Sequence, residues 1–175
     1  PGWSNVWLGT SVGSPKGAYR AETLAELDAV VRFLSLEPLH APGVAKAIRG
    51  VVEAGRIDWL IVGGESGNDP GIRPMHPEWA REVIELAEAN RVPVLFKQWG
   101  EWAPVYDTDD PDWRRCHTVK LDTPRGEWLN LEGGQGFHGE RVVRVDRIGK
   151  HAAGRVIDGR TLDGYPTPRP GIAPC

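Results

Sequence analysis

Four short apolar runs recur along the chain: "NVWLGTSV" (5–12), "VRFLSLEPL" (31–39), "DWLIVGGES" (58–66) and "VPVLFKQWG" (92–100). They are unbroken rather than alternating, the pattern of strands buried on both faces. Between them the apolar residues fall at helical spacing. Leu24, Leu27 and Val31 share one face. Val44, Ala47, Ile48, Val51 and Val52 form a second stripe, with Pro42 early and Gly55 at its end. Pro77 opens a third helix in "HPEWAREVIELAEAN", whose stripe is Trp79, Val83, Leu86 and Ala87, with Asn90 placed to end it in a left-handed conformation. Strand and helix alternate at roughly thirty residues per unit, the signature of βαβ units. The expected architecture is α/β, with parallel strands and right-handed crossovers.

After Trp102 the composition changes. "VYDTDDPDW" reads as an acidic, turn-rich linker. "CHTVKLDT", "EWLNL" and "ERVVRVDRI" are short strand candidates, divided by "PRG" and "GGQGFHG". "GRVIDGRTLDGYP" contains two Asp-Gly pairs, which signal hairpin turns. The closing "PTPRPGIAPC" forms no regular element. The division is therefore residues 1–102 as the α/β part and residues 103–175 as a small β-rich extension with a loose tail.

Parallel α/β sheets collect ligands beyond the carboxyl ends of their strands. The four runs end at Thr10-Ser11, at Glu37, at Gly63-Gly64-Glu65-Ser66 and at Lys97-Gln98-Trp99, so one rim carries all four polar groups. Each residue has a structural reading beside the functional one. Glu37 precedes Pro38 and either ends a strand against a cation or contacts a ligand. Lys97 either pairs with Glu37 or Glu65 or meets a ligand. Gly63 and Gly64 either satisfy a tight turn or bring backbone N–H groups to an anion. Ser66 suits a turn cap, Arg73 suits bidentate binding of a phosphate or carboxylate, and His76 reads as a helix N-terminal residue ahead of a base. The rim proposal is that Glu37, Gly64, Glu65 and Lys97 converge, with Lys97 held between two carboxylates.

Composition narrows the classes. Twenty-one basic and 24 acidic side chains leave a net charge of −3, which gives no basic field and argues against nucleic acid as a partner. Two cysteines, Cys116 and Cys175, form neither a disulfide framework nor a metal pair, and a reducing, cytoplasmic setting fits them. Cys116-His117 with His138 or His151 matches no common zinc spacing. No apolar run approaches membrane-spanning length and no signal peptide is visible, so no membrane is expected. The chain starts at Pro1 without an initiator methionine, as a fragment or trimmed chain would. Of eight tryptophans, Trp99, Trp102, Trp113 and Trp128 cluster late, where packing against the extension is favoured over stacking on bases. There is no phosphate-loop signature and no Gly-x-Ser-x-Gly nucleophile elbow.

"NVWLGTSV", "RFLSLEPL", "IDWLIVGGESG…RPMHPEWA", "VPVLFKQWGEW" and "HAAGRVIDGRTLDGYP" together resemble an uncharacterised family of phage and bacterial proteins related to the radical S-adenosylmethionine superfamily. The likeness runs through residues 5–102 and returns at 151–166. It implies a partial TIM-like (β/α) barrel whose later strands are those seen here. It also implies S-adenosylmethionine and an iron–sulfur cluster for the full-length family, the cluster held by a three-cysteine loop in an earlier portion. Thr10, Ser11, Glu37, Gly63, Gly64, Glu65, Ser66 and Lys97 match, by position, strand-end contacts to cofactor or substrate. Two cysteines cannot supply the three-cysteine site, so the chain alone is expected neither to cleave the cofactor nor to bind it or a metal tightly. The resemblance implies the C-terminal part of a radical enzyme acting on a nucleotide-like or other small substrate, with a small nucleotide-like ligand as the candidate partner. A non-catalytic nucleotide- or phosphate-binding module, or one that pairs exposed strand edges, stands as the alternative. An open half-barrel leaves a strand edge bare, so the expected partner is the earlier portion or a second copy at residues 5–12.

Overall fold

The computed structural model describes residues 6–107, 126–135 and 142–168. Four strands, β1 (Trp7–Ser11), β2 (Val31–Leu36), β3 (Trp59–Gly63) and β4 (Val94–Gln98), lie in sheet order β1-β2-β3-β4 and pair parallel throughout. Helices α1 (Tyr19–Ala25), α2 (Val44–Glu53) and α3 (Pro77–Ala89) join them. The expectation of a parallel α/β sheet is met, and no closed barrel forms among the described residues.

The sheet is not covered equally on its two faces. Leu34 and Leu36 of β2, Leu60 and Val62 of β3 and Phe96 of β4 are one-residue-in-two positions, and all are buried in one cluster with Leu24 of α1, Ile48 and Val52 of α2, and Trp79, Val83 and Leu86 of α3. Burying each such aliphatic side chain contributes about 1.5–3 kcal/mol. The alternate positions Phe33, Ser35, Ile61 and Leu95 are only partly buried and Lys97 is exposed. The expectation of strands buried on both faces is therefore corrected: the helices shield one face. On the other, Trp7, Phe33 and Trp59 pack edge-on or tilted, and Tyr165 lies 5.3 Å from both Trp7 and Trp59.

Three local expectations change. Helix α1 stops at Ala25, Leu27 is 47% exposed and Val31 already begins β2. The buried Arg32 explains the early stop: its Nε donates to Leu27 O at 2.7 Å and its backbone N–H to Asp58 at 2.7 Å, tying that corner to the start of β3. Asn90 has φ −104°, and Arg91, with φ 57°, takes the left-handed position instead. Asn90 Nδ2 is used on Leu86 O, which holds the preceding turn.

Beyond β4 the chain makes a second, antiparallel sheet of β5 (Trp102–Asp107), β6 (Gly126–Asn130) and β7 (Val142–Arg147), in order β5-β7-β6. Val105–Asp107, read as linker, belongs to β5. "EWLNL" and "ERVVRVDRI" do supply strands, while "CHTVKLDT" lies outside the described residues. A short helix α4 (Lys150–Ala153) follows.

The stretch after α4 is a strap. Trp99 N–H donates to Gly154 O, Phe96 N–H to Leu162 O, and Gly164 N–H to Val94 O, so residues 154–164 run along the outer edge of β4. Trp99 Nε1 reaches Val156 O and Trp59 Nε1 reaches Gly164 O, both at 2.8 Å. Of the two Asp-Gly pairs, Asp158-Gly159 makes the expected tight turn, with Ile157 and Arg160 exchanging both backbone bonds. Asp163-Gly164 makes no hairpin; Asp163 bridges Leu95 instead. Arg81 of α3 forks onto Asp158 at 2.8–3.2 Å. Burial alone would lower the Arg81 pKa, but the hydrogen bond and charge of Asp158, aided by Glu78, hold it above its ordinary value. Edge β4 is thus covered by its own chain, whereas β1 pairs only with β2 among the described residues.

Candidate functional site

Glu37 follows β2 on the face that the helices leave uncovered. Its carboxylate does not stop at its own strand. It crosses β3 and reaches β4, where Lys97 Nζ donates to Oε2 at 2.9 Å and Gln98 Nε2 donates to Oε1 at 3.0 Å. Gly63 makes this crossing physically available. A Cβ there would sit 3.2 Å from Glu37 Cδ and Oε1, so any side chain would push the carboxylate away. Lys97 thus takes Glu37, one of its two expected partners, and what is corrected is the expectation of a lysine held between two carboxylates, since Glu65 turns to Arg73. Lys97 is 49% exposed and the pair is worth about 0–1 kcal/mol, too little to explain it as a fold-holding device.

Gln98 is 4% exposed. Its Nε2 also donates to Ser66 Oγ at 3.3 Å. A carboxylate only accepts, so the amide must turn its NH2 to Glu37 and its oxygen elsewhere. That oxygen, Oε1, is buried with no hydrogen-bond partner among the described residues. Buried acceptors are nearly always satisfied, and an orphan of this kind marks a place where a donor belongs.

Glu65 makes a separate pair. Its Oε2 accepts from the backbone N–H of Arg73 at 3.1 Å and from Arg73 Nε at 3.4 Å. Arg73 thereby turns toward its own loop, with its side chain still 57% exposed. Gly64 answers to the steric reading: its N–H donates to Gln98 O, and a Cβ would lie 1.8 Å from Trp99 O. His76 caps α3, its Nδ1 accepting from Glu78 N–H at 3.1 Å. Thr10 and Ser11 end β1 at the sheet's edge, and among the described residues no hydrogen bond joins them to the Glu37 set. The structure therefore brings together Glu37, Gly63, Ser66 and Lys97, adds Gln98, and leaves Thr10, Ser11 and the Glu65–Arg73 pair beside them.

The β extension braces this rim. Trp102 Nε1 donates to Ile72 O at 2.9 Å, and Arg147 donates to Asp69 O at 2.7 Å, which fixes the loop after β3. Trp99 and Trp102 are core residues, Trp128 is partly exposed beneath Arg144, and Trp113 lies outside the described residues. An open cleft of about 590 Å³ adjoins Ser66 and is lined also by Glu101 and Ile148–Ala152. A larger groove of about 660 Å³ runs between α2 and α3, past Lys46, Arg49, Glu82 and Glu85, and contains none of the rim residues.

Gln98 was visible as a strand-end residue, but nothing in "VLFKQWG" announces its orphan oxygen. Period-two alternation from Phe96 does place it on the buried face, and a buried amide at a strand end is the signal that was available. Among the described residues no group of three or more His, Cys, Asp or Glu is placed to hold a metal ion. His151 is exposed, and Cys116, His117, His138 and Cys175 lie outside the described residues. No helix of the described residues is long and apolar enough to cross a membrane.

A family described as "Protein of unknown function (DUF5131)" matches residues 1–166, from β1 through the strap. The chain belongs to this family. No curated protein and no solved structure matches it significantly. In this DUF5131 chain the match takes in both the rim and the segment that covers β4, so the whole frame of the site is family territory.

Proposed function

We propose that this DUF5131 chain is the C-terminal wall of a radical S-adenosylmethionine-like (β/α) barrel, and that its rim contacts a small nucleotide-like ligand. The observation that carries the reading is the Glu37 carboxylate laid across Gly63 onto Lys97 and Gln98, with Gln98 Oε1 left as a buried acceptor lacking a donor among the described residues. Helices on one face only also support it, since in a (β/α) barrel the other face lines the interior. A nucleoside brings amino and hydroxyl donors suited to Gln98 and Glu37, and Lys97 has N–H donors to spare for an anionic group.

The residues do not fit an iron–sulfur cluster. Two cysteines in the whole sequence fall short of three thiolates, and no metal-holding group exists among the described residues. No chemical step is therefore assigned to this chain. Its part is to bind and orient, and the thiolates belong to another portion. The edge of β1, bare among the described residues, is the place for that portion, or for a second copy, to dock.

Calorimetric titration with S-adenosylmethionine tests the reading. Lys97→Met and Glu37→Gln should keep the circular dichroism and melting behaviour of the parent and weaken binding by about 1.5–3 kcal/mol, the worth of a charge-assisted hydrogen bond. Equal affinities for parent and variants would overturn it, as would a loss of stability without any loss of affinity.

A further inference from the structure

A line of four side chains crosses the rim, and its hydrogen bonds run in forced directions. Lys97 Nζ donates to Glu37 Oε2 at 2.9 Å, Gln98 Nε2 donates to Glu37 Oε1 at 3.0 Å, and the same Nε2 donates to Ser66 Oγ at 3.3 Å. A carboxylate only accepts, and an amide nitrogen only donates. The Gln98 amide therefore spends one hydrogen on Glu37 and the other on Ser66. Ser66 Oγ is the acceptor in that bond, so its own hydroxyl hydrogen turns elsewhere, and no acceptor takes it among the described residues. The middle of the line is sheltered and its ends are open. Gln98 is buried and the Glu37 side chain is 19% exposed, whereas Lys97 is 49% exposed and Ser66 is exposed. Both open ends are donors: the spare N–H groups of Lys97 and the O–H of Ser66.

We infer that Ser66 and Lys97 bind the oxyanion of the ligand, a carboxylate or phosphate group, and that Gln98 is the positioning residue that keeps Ser66 a donor. The inference rests on the ligand reading above and names the group that the rim takes. A hydroxyl free to turn serves donors and acceptors alike; held by Gln98, the Ser66 hydroxyl serves an acceptor only. Ammonium-to-oxyanion hydrogen bonds are charge-assisted and among the stronger kind. The carboxylates nearby are already engaged: Glu37 by Lys97 and Gln98, Glu65 by Arg73, and Glu101 by Gly67 N–H at 3.4 Å. Ser66 also lines the open cleft of about 590 Å³, a volume within the range of small-molecule sites, which leaves room for the rest of the ligand.

Calorimetric titration with three probes tests it: adenosine, which carries no anion, adenosine monophosphate, which adds a phosphate, and S-adenosylhomocysteine, which adds a carboxylate. At least one of the two anionic probes should bind the parent about tenfold or more tightly than adenosine, and which one does so tells phosphate from carboxylate. Ser66→Ala should erase most of that advantage while leaving adenosine itself nearly unchanged, and Ser66→Thr, which keeps the hydroxyl, should restore it. Gln98→Met, which frees the Ser66 hydroxyl to turn, should shrink the advantage, and Lys46→Met in the α2–α3 groove should leave it intact. The probe series needs no variant, so a misfolded variant does not spare the inference. Equal binding of all three probes to the parent would overturn the inference and leave the ligand reading standing, as would a Ser66→Ala protein that keeps the full advantage. Saturation by none of the three would sink the ligand reading and the inference together.

Discussion

Two adjacent glycines at the end of β3 do different work, and a methyl group separates them. At Gly64 an added Cβ meets Trp99 backbone oxygen at 1.8 Å, and backbone cannot step aside without shifting β4. At Gly63 it meets the tip of the Glu37 side chain at 3.2 Å, which can move. Gly64→Ala is therefore expected to destabilise by about 3 kcal/mol or more, whereas Gly63→Ala leaves the fold near parental and releases the carboxylate from Lys97. Gly50 in α2 has nothing within 4 Å, and Gly50→Ala should stabilise by about 0.5–1 kcal/mol. Urea unfolding of the three variants checks the order; a Gly64→Ala protein as stable as Gly50→Ala would refute it. The sequence showed that Gly63-Gly64 sits at a strand end but not which role each plays, because that depends on what lies opposite. The same limit governs Lys97. The sequence leaves Glu37 and Glu65 both open as its partner, and the missing side chain at Gly63 lets Glu37 reach over β3.

At the scale of elements, the apolar runs placed β1–β4 within a few residues, because buried parallel strands write themselves as continuous hydrophobic stretches. The edges were harder to read. Leu27 and Val31 satisfy helical spacing, yet Arg32 terminates that corner by tying Leu27 to Asp58 and Arg56, which are distant in sequence. The second Asp-Gly pair satisfies hairpin chemistry, yet pairing along β4 outbids a local turn. Helix α3 carries a testable electrostatic strain. Burial, then the like charges of Glu78 and Glu85, push the Glu82 carboxyl above its ordinary 4.5. A carboxyl with a raised folded value holds its proton more tightly folded than unfolded. Stability from this group consequently falls as pH rises from 4.5 through the folded value, and stays lowest above it. Glu82→Gln should thus be more stable than the parent near about pH 7, with the difference shrinking as pH falls toward about 4. Urea midpoints at the two pH values measure it, and a difference that is constant or reversed would speak against the assignment.

For the whole molecule, the parallel sheet has one dressed edge and one that is bare among the described residues. The strap at residues 154–164 closes β4, and the antiparallel sheet pins the loop that follows β3, so the rim is held from two sides. The opposite edge, β1, offers its backbone to whatever completes the sheet. Composition gave no hint of this division, since the strap reads as turn-rich tail and acquires its role only by lying on β4. The central claim is that ligand binds where the carboxyl ends of β2, β3 and β4 meet. Amide chemical-shift mapping during titration with S-adenosylmethionine tests that most directly. The account predicts saturable shifts at Glu37, Gly63–Ser66 and Lys97–Gln98, abolished together in Lys97→Met. Shifts confined to the groove between α2 and α3, or none that saturate, would contradict it.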